Sequence, residues 1–292
     1  MVQGCRRTEE TTIPIKTPGQ IHKWTCHKLE SFSEFMESYA RSTRKASFCY
    51  LELFAGPGSY PCSDMNCRLE GSALRVLKTK ADFVRYAFLA PVKNTADNLR
   101  TSVATLNKGD VQILVGNPNN TKTLERLIDQ IPRSASSLAF IDPGGYRRLN
   151  WKTLEQLAEL GKNRQGEKTE LLIIFPLEMA LLRNLVRPEC AESVSRFYGN
   201  HHWEELKSKK QASKSEDIKP KLIELFKNGL SGLGYKFVED FKPTASTYDP
   251  YYHLIYAGDN VSCLKQLKNA WGKSRFLRCE LLYGIHDEKK KG

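Results

Sequence analysis

Short apolar segments alternate with amphipathic ones along most of the chain. The apolar segments are bounded by turn residues and predict strands at about 48–55, 85–90, 111–115, 137–141 and 170–175. Between them, apolar residues recur at helical spacing and predict helices at about 72–77, 94–106, 121–131 and 151–160. Strands that alternate with helices need right-handed crossovers, so the pattern predicts a parallel sheet with helices on both faces.

Further elements are predicted on both sides of this alternation. Leu29, Phe32 and Met36 share one face of a predicted helix at about 22–44, and Ser72 is the expected N-cap of the helix at 72–77. The remaining predictions are helices at about 177–187 and 221–230, strands at about 235–238 and 253–257, and an amphipathic helix after 261. Seven strands in this order predict a doubly wound, mostly parallel α/β sheet of the Rossmann type.

The composition changes between residues 195 and 220, where the chain becomes polar and rich in lysine. We interpret this segment as a basic, helical insert or linker that contributes little to the core. The remaining organisation is then an irregular N-terminal segment (1–21), one α/β domain (22–194 with 221–270) and a C-terminal tail (271–292).

The balance of charge favours a polyanionic partner. Lysine and arginine number 45 against 33 aspartates and glutamates, a formal net charge of +12, which attracts nucleic acid through steering and counterion release. A basic protein without such a partner would have the same composition. The eight cysteines are scattered and no apolar run reaches membrane-spanning length, which predicts a cytoplasmic protein without a membrane partner.

An acid interrupts the first apolar run, just before a glycine turn. Glu52 is followed by Phe54, Ala55, Gly56 and Gly58. Ligands of open α/β sheets bind beyond the carboxyl ends of the strands, and glycine lets the backbone approach them closely. The spacing acid-x-Phe-x-Gly-x-Gly resembles the first loop of S-adenosylmethionine-dependent methyltransferases. The resemblance implies that these five residues cradle the cofactor, with Glu52 at its amino acid end.

A second acid ends the fourth predicted strand and is expected at the same edge of the sheet as Glu52. Asp142 and Pro143 are followed by Gly144 and, after one more glycine, by Tyr146. Amino-methyltransferases have an acid or amide, two prolines and an aromatic at this place, so the resemblance implies that Asp142 and Pro143 orient the methyl acceptor. Here a glycine replaces the second proline. The alternative is a structural turn in which Asp142 caps local backbone N–H groups.

Two other strand ends depart from the methyltransferase pattern. The second strand, which would end in an acid that binds the ribose, ends in Ala90 and Pro91. After the third strand, Asn117 stands where an acid near the adenine is expected. Asn117 can still form hydrogen bonds to the cofactor but supplies no charge.

Other groups of polar residues are weaker candidates. Cys62 and Cys67 could bind a metal with His22, Cys26 or His27, but a structural zinc site needs four convergent ligands and nothing in the spacing fixes them. We therefore assign no metal.

Two pairs of adjacent polar residues have no assigned role. His201 and His202, followed by Trp203, lie in the polar segment, where a solvated surface is the expected setting. Arg147 and Arg148 follow the second acid and either contact a phosphate backbone or are simply solvated.

Taken together, these motifs resemble the three-Cys-motif partner proteins (TcmP) over about residues 22–270. The motifs that carry the resemblance are Leu53 to Gly58, Gly71-Ser72, Asp142-Pro143 with Gly145, and Tyr252 to Ala257. The resemblance implies a methyltransferase-like Rossmann fold whose last two strands are an antiparallel pair. It also implies association with a separate radical-enzyme-like protein that carries a three-cysteine motif, and a link to mobile elements.

Three functional hypotheses follow. The first is an S-adenosylmethionine-dependent methyltransferase that acts on nucleic acid or on a partner's substrate. The second is a catalytically degenerate module that binds a partner protein, nucleic acid or both, which Ala90 and Asn117 favour. The third, a nuclease in which Glu52 and Asp142 hold a metal, is weaker because two acids alone make a poor magnesium site.

Overall fold

The computed structural model describes the chain at residues 23–42, 47–62, 67–80, 83–106, 108–177, 181–212, 218–242 and 252–273. Its nine strands are β1 (Phe48–Leu53), β2 (Ser59–Cys62), β3 (Cys67–Glu70), β4 (Arg85–Ala90), β5 (Val111–Val115), β6 (Ser136–Ile141), β7 (Glu170–Phe175), β8 (Phe237–Phe241) and β9 (His253–Gly258). The amphipathic segments between them form the helices that cover the sheet.

The helices are α1 (Lys23–Ser42), α2 (Ser72–Lys78), α3 (Lys93–Val103), α4 (Thr121–Ile128), α5 (Trp151–Leu160), α6 (Leu182–Asn184), α7 (Ala191–Tyr198), α8 (Trp203–Ala212), α9 (Lys219–Gly232) and α10 (Val261–Lys273). In the described part of the chain, no helix combines the length and apolar character that crossing a membrane requires.

Seven strands form one sheet in the order β5-β4-β1-β6-β7-β9-β8. The pairs among β5, β4, β1, β6 and β7 are parallel, whereas β9 is antiparallel to both β7 and β8. The chain therefore winds outward from β1 in both directions, as in doubly wound folds. The predicted fold class is confirmed: this is a mostly parallel, seven-stranded methyltransferase-like sheet of the Rossmann type.

The alternation of side chains along the strands divides the core between the two faces of the sheet. One apolar cluster joins the sheet to α4, α5, α7 and α9, and the other joins it to α1, α2, α3 and α10. β1 and β7 are buried over their whole length, which explains why their sequences are almost continuously apolar.

The polar segment 195–220 contributes more to the core than its composition predicts. Phe197, Tyr198 and Trp203 are buried in the cluster with α5 and α9, and the Trp203 indole donates a hydrogen bond to Ser195 Oγ (3.0 Å). The expectation of a solvated surface is wrong for Trp203, although His201 and His202 beside it are exposed. A few large apolar side chains therefore anchor this segment in the core.

Three local predictions also need correction. Between the glycine turn and α2, where no strand is predicted, the chain forms an antiparallel hairpin, β2 with β3, in which Arg68 donates hydrogen bonds to Ser59 Oγ. The eighth strand begins two residues later than predicted, at Phe237. Of the helix expected at 177–187, the structure shows α6, and residues 178–180 lie outside the described part.

Candidate functional site

Glu52 and Asp142 come together at the carboxyl edge of the sheet, as the sequence predicts. β1 and β6 are adjacent and parallel, and Glu52 is in register with Phe140. Because side chains alternate along a strand, Asp142, two residues beyond Phe140, lies on the same face as Glu52. The glycine turn after β1 and the turn after β6 therefore border one shallow region, which we call the carboxyl-edge site.

The Glu52 carboxyl group is buried and its hydrogen bonds are satisfied within the protein. Tyr50 donates to Oε2 (2.8 Å) and Ser72 donates to Oε1 (2.6 Å). Burial raises the pKa of Glu52 to about 7, although these two hydrogen bonds oppose the increase. Ser72 is not the N-cap of α2, which is Gly71. Its hydroxyl instead donates to Glu52, which joins the first turn of α2 to β1.

Asp142 forms an ion pair with Lys28 of helix α1. The Lys28 and Asp142 side chains are 10% and 24% exposed, so water screens this pair less than it would a surface pair. The residues are 114 positions apart, and no sequence motif pointed to Lys28. Beside the pair lies an apolar cavity of about 10 Å³, lined in part by Phe32, Phe140 and Tyr252, which is about the volume that one water needs.

The glycines of the turn are required by the protein itself. A Cβ at Gly56 would lie 1.8 Å from the Tyr60 hydroxyl oxygen, and one at Gly71 would lie 2.9 Å from the same ring. Gly58 has φ +93°, which favours glycine, and a Cβ there would lie 2.9 Å from Ser102 Cβ. Tyr60 on β2 thus packs against the turn, where burial near Glu52 raises its pKa. No sequence pattern predicted this contact, because the hairpin that carries Tyr60 was itself not predicted.

Phe54 has an unusual backbone conformation at the end of β1. It is the non-glycine residue of the described chain with a positive φ, 65°, a conformation that costs a side chain about 1 kcal/mol or more. The Arg148 guanidinium lies over its ring, 5.8 Å from the ring centroid. Ala55, the next residue, is buried and donates its backbone N–H to Leu89 O (2.9 Å). The loop is therefore tied to β4 as well as to the turn after β6.

The aromatic residue of the second motif does not face the carboxyl-edge site. Tyr146 is buried on the opposite face of the sheet, edge to face with Phe197. Its hydroxyl accepts hydrogen bonds from Arg147 Nε (3.2 Å) and Ser193 Oγ (3.3 Å). Pro143 is buried beside Asp142. Two glycines between Pro143 and Tyr146 redirect the chain, so an aromatic clamp of the amino-methyltransferase kind does not form here.

S-adenosylmethionine fits these residues at one end only. Near β1 and β6 there are two acids, and the loop backbone between them lacks side chains at two glycines. At the ribose end, Ala90 is fully buried and offers no acceptor, while Asn117 is exposed and its Oδ1 accepts the Asn119 backbone N–H (3.0 Å). Loss of one charged hydrogen bond costs about 1.5–3 kcal/mol, one to two decades of affinity.

No metal centre is evident in the part of the chain that the structure describes, where no three His, Cys, Asp or Glu side chains converge. Cys62 and Cys67 are opposite each other in the backbone register of the hairpin. Their side chains, and those of His22, Cys26 and His27, lie outside the described set, so the assignment of no metal to these residues stays a prediction.

The strand order and the antiparallel β9 define a methyltransferase-like α/β fold. No protein-family model matches the sequence, and no curated protein resembles it significantly. Among solved structures, a DUF519 family protein from Legionella pneumophila has a TM-score of 0.52 at 11% identity, over 86% of this chain and 92% of that one. This likeness shows the fold.

Two other solved structures resemble the chain more weakly. An O-methyltransferase from Bacillus cereus in complex with SAH has a TM-score of 0.42 at 12% identity, over 77% of this chain and 80% of that one. Fibrillarin from Aeropyrum pernix, with natively bound S-adenosyl-L-methionine, has a TM-score of 0.41 at 9% identity, over 78% of this chain and 76% of that one.

Proposed function

We propose that this chain is an S-adenosylmethionine-dependent methyltransferase of the three-Cys-motif partner type, which acts in the cytoplasm on nucleic acid or on a partner's substrate. The observation that carries the proposal is the placement of Glu52 and Asp142 on one face at the ends of adjacent parallel strands, beside a glycine turn. In open α/β sheets this edge is where ligands bind.

The residues of the carboxyl-edge site have distinct proposed roles. Glu52, Phe54, Ala55, Gly56 and Gly58 hold the cofactor, which supplies the methyl group. Methyl transfer depends mainly on alignment of the reacting atoms, so a site with few polar groups is chemically sufficient.

Acceptor alignment is the proposed role of the turn after β6. Asp142 accepts a hydrogen bond from the acceptor, Pro143 shapes the turn, and Lys28 fixes the carboxylate by the ion pair that joins α1 to β6. At the other end of the site, Asn117 is proposed to hydrogen-bond the adenine.

A second candidate function is a non-catalytic module that binds a partner protein, such as a radical-enzyme-like protein with a three-cysteine motif. Ala90 favours it, because a fully buried alanine replaces the acid that would bind the ribose. The contact between Gly56 and Tyr60 also favours it. Packing against the Tyr60 hydroxyl is enough to require glycine at position 56, so this glycine is not evidence for a bound ligand.

Calorimetric titration with S-adenosylmethionine and S-adenosylhomocysteine separates the two candidates. We expect micromolar binding that Glu52→Gln weakens at least tenfold, about 1.4 kcal/mol, because the amide changes the hydrogen-bond donors around the buried group. Asp129→Asn is the matched control, because Asp129 is an exposed acid at the opposite edge of the sheet. Absence of binding at millimolar cofactor would instead support the non-catalytic module.

A further inference from the structure

We propose that the turn after β6, which borders the carboxyl-edge site, binds the phosphodiester backbone of a nucleic acid through Arg147 and Arg148. This inference rests on the proposed function, since it names nucleic acid as the substrate class of the same site. The two arginines follow Asp142 within the turn after β6 and form the short 3₁₀ turn Tyr146–Arg148.

Arg148 lies at the border of the site, between the turns after β1 and β6. Its guanidinium covers the Phe54 ring, 5.8 Å from the centroid, and its Nη1 lies 3.6 Å from the position that a Cβ on Gly144 would occupy. Gly144 is two residues past Asp142, so the cation bridges the turns after β1 and β6. A phosphate bound there would contact the turn that follows Asp142.

Arg147 is exposed yet fixed in position. Its Nε donates to Tyr146 Oη (3.2 Å) and its Nη2 to Cys190 Sγ (2.8 Å), and both partners are buried. These partners hold the stem and one side of the guanidinium, while Nη1 has no hydrogen bond that the structure records within the described chain. A donor held in place in this way loses little conformational entropy when it binds an anion.

Neither arginine forms an ion pair with a carboxylate of the described residues. At the opposite edge of the sheet, by contrast, Arg85 pairs with Asp110 and Lys168 pairs with Asp259. The charge of Arg147 and Arg148 is therefore left for an external anion. Guanidinium matches phosphate oxygens in a planar, bidentate geometry, and a net charge of +12 steers polyanions towards the molecule.

Salt-dependent binding of labelled oligonucleotides tests the inference. Fluorescence anisotropy is measured with single-stranded RNA, single-stranded DNA and duplex DNA of about 20 nucleotides, between about 50 and 200 mM salt. The variants are Arg147→Gln, Arg148→Gln and both together, and the matched control is Arg164→Gln, an exposed arginine at the opposite edge. A polyglutamate peptide serves as the acidic competitor.

We expect each single variant to reduce the slope of log affinity against log salt by about one, and the double variant by about two. Arg147→Lys and Arg148→Lys should retain the slope with lower affinity, since they keep the charge but lose the planar fork. The RNA and DNA arms identify which nucleic acid is bound.

Slopes that match the wild type, an equal effect of Arg164→Gln, or competition by polyglutamate as strong as by nucleic acid would each overturn the inference. Thermal melting of every variant excludes loss of fold as the cause. Cofactor titration separates this inference from the proposed function. Cofactor binding without nucleic-acid binding rejects the inference alone, whereas arginine-dependent nucleic-acid binding without cofactor binding rejects the methyltransferase proposal.

Discussion

At the scale of single residues, the glycine turn shows how a ligand-binding signature can have an internal cause. If Gly56 had a Cβ, that atom would lie 1.8 Å from the Tyr60 hydroxyl oxygen. Packing inside the protein therefore requires glycine here. The turn residues were predictable from spacing, because glycines that follow an apolar strand are a local signal. Tyr60 was not, because its contact depends on how the β2-β3 hairpin folds back over the turn.

The contact between Gly56 and Tyr60 predicts that substitutions at these two positions have non-additive effects on the free energy of unfolding. Gly56→Ala should destabilise the protein by about 1–3 kcal/mol through overpacking. Tyr60→Phe in the same chain should recover part of this loss, since it removes the nearest atom. Urea unfolding of the wild type, both single variants and the double variant gives the coupling energy. Gly145→Ala is the control, because a Cβ there meets nothing within 4 Å; strictly additive effects would contradict the predicted contact.

At the scale of elements, Trp151 fixes the packing of three helices. It is the first residue of α5, and its ring lies against Gly199, just after α7, and Gly229 within α9. A Cβ would come within 2.3 Å of the ring at Gly199 and within 2.6 Å at Gly229. Close approach of these helices therefore requires glycine, at the cost of helix propensity in α9.

Two glycines of α9 should respond in opposite directions to alanine. Gly229→Ala should destabilise by roughly 1–2 kcal/mol, because overpacking against Trp151 exceeds the gain in helix propensity. Gly232→Ala should stabilise by up to about 1 kcal/mol, since a Cβ there meets no atom within 4 Å. Chemical denaturation measures both. A stabilising Gly229→Ala would show that α9 does not pack on Trp151 in this way.

At the scale of the whole molecule, a buried acid connects both ends of the described chain. Glu170 at the start of β7 accepts a hydrogen bond from Tyr39 of α1 (3.4 Å), and its carboxyl group also meets Tyr256 of β9 and Cys263 of α10. Burial raises the pKa of Glu170 to about 8, although these partners oppose the increase. Protonation of this carboxyl group is therefore linked to the free energy of folding.

The raised pKa predicts that stability falls as pH rises. Between the ordinary value of 4.5 and about 8, the folded state holds a proton that the unfolded state has released. The favourable contribution is complete below the unfolded pKa and is lost as pH passes through the folded pKa, with a maximum slope of about 1.4 kcal/mol per pH unit. Glu170→Gln should remove this part of the slope, as measured by urea unfolding from pH 5 to 8.5.

The exposed acid Glu125 on α4 provides the matched control for Glu170. Glu125→Gln should leave the pH dependence close to that of the wild type, and Glu52, whose pKa is raised to about 7, contributes equally to all three proteins. If Glu170→Gln and the wild type lost stability in parallel over this range, Glu170 would be ionised in the folded state at neutral pH.

The sequence by itself determined the order along the chain of the seven strands of the main sheet and of the helices between its parallel strands, and which residues end those strands. Hydrophobic periodicity is local, and parallel strands bring their carboxyl ends to one edge, so Glu52 and Asp142 could be placed together before the structure was known. The departures at Ala90 and Asn117 were also visible as residue types at strand ends. Even the bounds of β4, β5 and β7 agree with the prediction.

Only the tertiary structure decided which side chains meet at that edge. Lys28 reaches Asp142 across 114 positions, Ser72 reaches Glu52 across 20, and Trp203 is buried within a lysine-rich segment. Each depends on how a helix or hairpin packs on the sheet, and packing is set by the shapes of residues distant in sequence. A local pattern specifies which face an element buries, but the partner on that face is chosen by the fold.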